Sequence, residues 1–104
     1  MHEELLSQLD DAAEAFVGPL RLNDGFDQLA LDELCRQIDQ FGYQWRTSEG
    51  IPKSVALLLS ELYPAISACA DLYVGDERQR MIEAAVRVGE RVTYALDPVG
   101  EPEM

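Results

Sequence analysis

PKSVALLLSELYPAISACADLY, residues 52–73, is the stretch whose reading decides the fold. Wound at about 100° per residue, Val55, Leu58, Leu59, Leu62, Ile66, Cys69 and Tyr73 fall within an arc of about 100°. The rest of the circumference is only weakly polar: Ser60, Ser67 and Asp71 alternate with Leu57, Tyr63, Ala68 and Leu72. A helix this apolar is expected to sit centrally. Pro52 suits its first position, where a missing N–H costs nothing. Pro64 lies inside it and removes one helical hydrogen bond, which predicts a kink.

Similar stripes flank this segment. Leu5, Leu6, Leu9, Ala12, Ala13, Phe16 and Val17 make one face of a first helix, which Gly18-Pro19 is expected to end. Asn23-Asp24-Gly25 is a turn signal within the loop at residues 20–26. Asp27 then caps a second helix, with Phe26 and Leu31 at the spacing of a hydrophobic staple. Leu31, Leu34, Cys35, Ile38, Phe41, Gly42 and Trp45 carry that helix to about residue 45.

Beyond the third helix, which Gly75 is expected to end, Asp76 with Gln79 resembles a capping box. Met81, Ile82, Ala85, Val88, Gly89, Val92 and Leu96 form the inward stripe of a fourth helix. Arg80, Glu83, Arg87, Glu90 and Arg91 face outward, with Glu83 and Arg87 an i, i+4 pair. Asp97-Pro98 stops it, and residues 98–104 form a frayed acidic tail. No segment alternates with a period of two, so strands are not expected. The spacing predicts an all-α, antiparallel four-helix bundle, one domain over residues 1–97, with the third helix central and kinked.

The formal net charge is −12, unevenly placed. Residues 1–35 hold nine carboxylates and one arginine, whereas residues 76–96 hold four of each. Such a field repels nucleic acid and anionic membranes and favours a basic protein partner; solubility alone is the simpler use of the same charge. The longest unbroken apolar run, Val55–Leu59, is far short of the ~20 residues that span a bilayer. Glu3 and Glu4 stand where a secretory signal carries Lys or Arg, so the expected location is the cytoplasm. Cys35 and Cys69 lack the C-x-x-C spacing of a metal or redox motif; both fall on apolar stripes, as buried free thiols or, alternatively, a disulfide or a redox switch.

Catalysis is not expected. The single histidine, His2, sits beside the N-terminus, so no Ser-His or Cys-His dyad forms on a rigid element. Neither the Glu-x-x-His pairs of helical di-metal sites nor a glycine-rich phosphate loop is present, and no cofactor is implied.

Candidate binding residues come from two sources. Asp10, Asp11 and Glu14 are like charges at i, i+3 and i, i+4 on the first helix, and nothing basic in the expected helix offsets their repulsion. Tyr43, Tyr63 and Tyr94 lie off the apolar stripes, and Leu57 lies opposite the main stripe of its helix; each is either a surface residue packed on its neighbours or part of a contact surface. The sequence therefore predicts a non-catalytic protein-interaction module. An inhibitor of a basic toxin or nuclease, in the manner of an immunity or antitoxin protein, is its sharpest version by analogy of charge and size alone. The alternative is a homodimeric or larger structural assembly, or an accessory subunit, associating through the outer side of the third helix.

Overall fold

The computed structural model describes residues 2–47 and 50–96, and no strand occurs among them. Helix α1 runs His2–Arg21, α2 Gln28–Gln44, α3 Lys53–Cys69 and α4 Gly75–Leu96. A 3-10 turn, Ala70–Leu72, follows α3, so the helical run stops at Leu72, and Gly75, expected to end it, instead opens α4. The four helices enclose one core. Phe16, Leu20, Leu34, Ile38, Phe41, Leu59, Ile66, Met81 and Val88 are fully buried in it, each contributing roughly 1.5–3 kcal/mol by removal from water. No polar or charged side chain is buried among the described residues. The Asp97-Pro98 stop and the tail lie outside them.

Local chemistry sets the helix ends. Helix α1 does not stop at Gly18-Pro19 but continues through Pro19 to Arg21. Its end is a Schellman motif built on Asn23, which adopts the left-handed φ of 59°. The Asn23 N–H donates to the Leu20 carbonyl at 3.1 Å and the Asp24 N–H to the Pro19 carbonyl at 2.8 Å. Pro19 takes part in this cap as an acceptor, although lying inside α1 it still removes one helical hydrogen bond. Asp27 caps α2 as expected, its carboxylate accepting the Ala30 N–H at 3.2 Å. Phe26, just before that cap, meets the Phe16 ring edge-on at 5.5 Å and carries the Arg80 guanidinium over its face. Pro52 caps α3 from one position before its first turn, and α3 passes Pro64 unbroken.

The packed pairs are α1 with α2, α2 with α4, α4 with α3, and α3 with α1. Two of these differ from the expected antiparallel neighbours. Asp32 pairs with Arg87, Asp39 with Arg91, and Gly42 faces Ala95, so α2 and α4 run side by side in one direction. Helices α1 and α3 do likewise: Leu6 and Asp10 lie beside Ser54 and Leu57 at one end, and Leu20 meets Tyr73 at the other. The connection between α2 and α3 is long enough to permit this. Its eight residues reach up to about 26 Å, more than the diagonal of a square of helices 8–10 Å apart. Nor is α3 central; it occupies one corner of the ring and buries only the stripe that faces α1 and α4.

Counted as an average rather than an unbroken run, the 20-residue stretch Lys53–Leu72 contains an 18-residue window of mean hydropathy 1.4, long and apolar enough by composition to cross a membrane. Only a third of it is buried in the bundle, so much of its apolar surface faces outward.

Candidate interaction surfaces

The expected contact residues separate into two surfaces on opposite flanks of α3. On the α1 side, Asp10 and Leu57 line a shallow cleft with Leu6, Ser54, Leu58 and Glu61. A second cleft adjoins it, lined by Asp10, Glu14, Arg21 and Glu61 among others. Asp10 and Glu61 thus border both, and neither makes an ion pair among the described residues. Asp11, next to Asp10 in α1, is exposed and lines neither cleft. Glu14 corrects the expectation of uncompensated charge. Because α1 continues past Pro19, Arg21 reaches back to within 3.7 Å of its carboxylate.

On the α4 side, Tyr63 and Tyr94 border one apolar groove of about 580 Å³. Leu59, Gly89 and Val92 form its floor, with Ser60, Val86, Glu90 and Thr93 along its edges. Gly89 permits this construction. A Cβ there would stand 3.1 Å from the Tyr63 ring, so the ring lies close over the α4 backbone. Tyr43 shares neither surface. It is exposed on α2 next to Gly42, whose backbone abuts Ala95.

Arg87 and Arg91 were expected on an outward face, with Arg87 paired to Glu83. Both instead cross to α2, at 3.0 Å from Asp32 and 3.3 Å from Asp39, while Glu83 accepts the Gln79 amide. The parallel course of α2 and α4 brings these partners level. The Gln28 amide, then Arg87, hold Asp32 below its ordinary pKa. Arg36 and Gln37 hold Glu33 at about 2.

Cation bookkeeping follows from these contacts. Arg21, Arg36, Arg78, Arg87 and Arg91 are each paired with a carboxylate of this chain, and Arg80 lies over Phe26. Acids without an ion pair among the described residues include Glu4, Asp10 and Asp11 on α1 and Glu61 on α3, and also Asp24, Asp27, Asp76, Glu77, Glu83 and Glu90 elsewhere.

Cys35 and Cys69 are buried free thiols, and burial raises the pKa of both. Trp45 is half-buried against the core and stacks on Phe41 at 5.9 Å. No group of three or more His, Cys, Asp or Glu able to hold a metal occurs among the described residues.

Sequence reasoning named Tyr63 and Tyr94 singly but missed Val86 as their neighbour. It also missed the exposed apolar residues Leu22, Leu29 and Val74 at the end of the bundle where α1 meets α2 and α3 leads into α4. Their signal was available: each lies outside its helix's stripe or in a connection. No protein-family model, curated protein or solved structure matches the chain.

Proposed function

We propose that this chain is a non-catalytic protein-interaction module whose acidic α1–α3 face steers a basic protein partner into contact. One observation carries the reading: Asp10 and Glu61 make no ion pair among the described residues and line a cleft with the exposed Leu57, while Arg21 in the adjoining cleft is held by Glu14. Exposed carboxylates next to an apolar side chain suit attraction followed by docking. Inhibition of a basic toxin or nuclease is the form of this function that the charge favours. In the same reading Pro64, by removing one helical hydrogen bond, bends α3 and sets the course of its outer side.

The test is kinetic. The protein, immobilised, captures basic proteins at low salt, and association of the captured partner is then timed. Changing Asp10→Asn, Asp11→Asn and Glu61→Gln together, and leaving Glu14 with Arg21, should slow association at least about tenfold at low salt. An unchanged rate would make the acidic face a solubility feature.

The second reading, assembly through α3, is favoured by the apolar surface that Lys53–Leu72 leaves outside the core. Light scattering at low and high salt separates the two, since an apolar dimer persists in both while a charge-steered monomer stays monomeric.

A further inference from the structure

We infer that the groove between α3 and α4 takes an amphipathic helix of the partner, apolar where it enters and carrying lysine or arginine where it passes Glu90. This rests on the interaction-module reading and adds a second contact to it, on the other flank of α3.

The groove runs between two packed helices, and its edges recur at helical spacing: Ser60 and Tyr63 on α3, and Val86, Glu90 and Thr93 on α4. Ridges spaced by three and four residues are what a third helix interlocks with. A helix in such a groove is held by side chains at i, i+3, i+4 and i+7. With no strand among the described residues, there is no sheet edge for an extended peptide to join. Tyr63, Val86 and Tyr94 are 48%, 45% and 78% exposed, so each has area left to bury. Tyrosine buries much of its area at modest entropic cost, which suits it to anchoring.

Charge selects the occupant. Glu90 is the one carboxylate in the lining, no Lys or Arg accompanies it, and it makes no ion pair among the described residues. A second copy of the chain would be a poor complement. It brings another −12, and most of its arginines are already engaged. Leaving Glu90 desolvated and unpaired under such a copy would be costly. A basic helix both satisfies Glu90 and relieves the net charge.

Two synthetic peptides about five turns long test this. Both carry leucine at i, i+3, i+4 and i+7, one with lysine at the remaining positions and the other with glutamate. Each is titrated into the isotope-labelled full chain while backbone amide shifts are recorded. The lysine peptide should move Ser60, Tyr63, Gly89 and Thr93 more than any amide of α1. The glutamate peptide should bind at least about tenfold more weakly. Glu90→Lys and Thr93→Arg should each weaken the lysine peptide at least about fivefold, with circular dichroism and melting unchanged. Glu83→Lys, an equal charge change on the same helix outside the groove, should leave affinity within about twofold.

Several results would overturn the inference. Shifts confined to α1 and the facing side of α3, insensitive to Glu90→Lys, would remove the groove site and leave the acidic-face reading standing. No shift with either peptide would count against both. Equal binding of the glutamate peptide would refute the charge argument. Groove amides that move with protein concentration alone, with a doubling of mass, would make a second copy the occupant.

Discussion

Helix α4 meets α2 along one flank and α3 along the other, and the two seams are built differently. The α2 seam is closed: Arg87 and Arg91 reach across it to Asp32 and Asp39, and Gly42 lets the backbones touch at Ala95. The α3 seam is closed below and open above, with Tyr63, Val86 and Tyr94 standing around a groove. One helix thus satisfies its long polar side chains internally on one side and leaves large apolar ones unsatisfied on the other. Where a seam ends in charge pairs it is finished by the chain itself. Where it ends in exposed aromatics, apolar area is left to solvent.

The largest effect that could break this contrast is a core truncation. Ile38 is fully buried where α2 faces inward, and Ile38→Ala should cost about 2–5 kcal/mol in urea melts. Val86→Ala, at the edge of the open seam, should change stability by less than about 0.5 kcal/mol. Similar losses would mean that the open seam is as structural as the closed one.

Next in size is one substitution made at two glycines. A Cβ on Gly42 would stand 2.9 Å from the backbone Cα of Ala95, which cannot swing aside. Gly42→Ala should therefore cost about 1–3 kcal/mol, less the gain of up to about 1 kcal/mol from replacing a helical glycine. At Gly89 the obstacle is the ring of Tyr63, whose outer side is free to move. Gly89→Ala should be neutral or stabilise by up to about 1 kcal/mol, while narrowing the groove. Thermal melts of the two variants give the signs. A matching loss at both would show that Tyr63 is held as firmly as a backbone.

How far the sequence disclosed this follows from what each feature depends on. Stripes such as Leu9–Phe16 and Leu31–Ile38 were legible because helical periodicity is local, and so was the Asp27 cap. The end of α1 was misplaced because Gly18-Pro19 is the louder signal, although Asn23 carries the left-handed residue that closes the helix. Arg87 was assigned to Glu83 on its own helix because one-dimensional spacing cannot show that α2 runs level with α4. The tyrosines could be flagged one at a time; their meeting at one groove needed the α3–α4 contact. Gly89 inside a helix was a hint of close approach, since a glycine there costs about 1 kcal/mol unless packing requires it.

The smallest expected effect concerns pH and the charge pairs outside the core. Glu33 is exposed, and its hydrogen bonds from Arg36 and Gln37 lower its pKa from 4.5 to about 2. A carboxylate whose folded pKa is depressed contributes fully above its unfolded value and loses that contribution as pH falls toward the folded one. The urea midpoint of Glu33→Gln should lie slightly below that of the parent above pH ~5, and the gap should close toward pH ~2. Asp32, held down by the Gln28 amide and then Arg87, should behave in the same direction. A gap unchanged across that range would show that Glu33 contributes by shape rather than charge.

The Tyr73 hydroxyl has a bearing on how the bundle comes together. Its oxygen takes the Gly25 N–H at 3.1 Å and its proton points to the Leu20 carbonyl, joining segments 48 and 53 residues apart. Helices α1 and α2 can meet through a short connection, as can α3 and α4, and such local contacts form early in folding. Tyr73 bonds only once those halves have joined. The Gly25 amide, in an otherwise exposed turn, therefore depends for its hydrogen bond on a contact between the two halves, and Tyr73→Phe should speed its exchange with deuterium in native buffer.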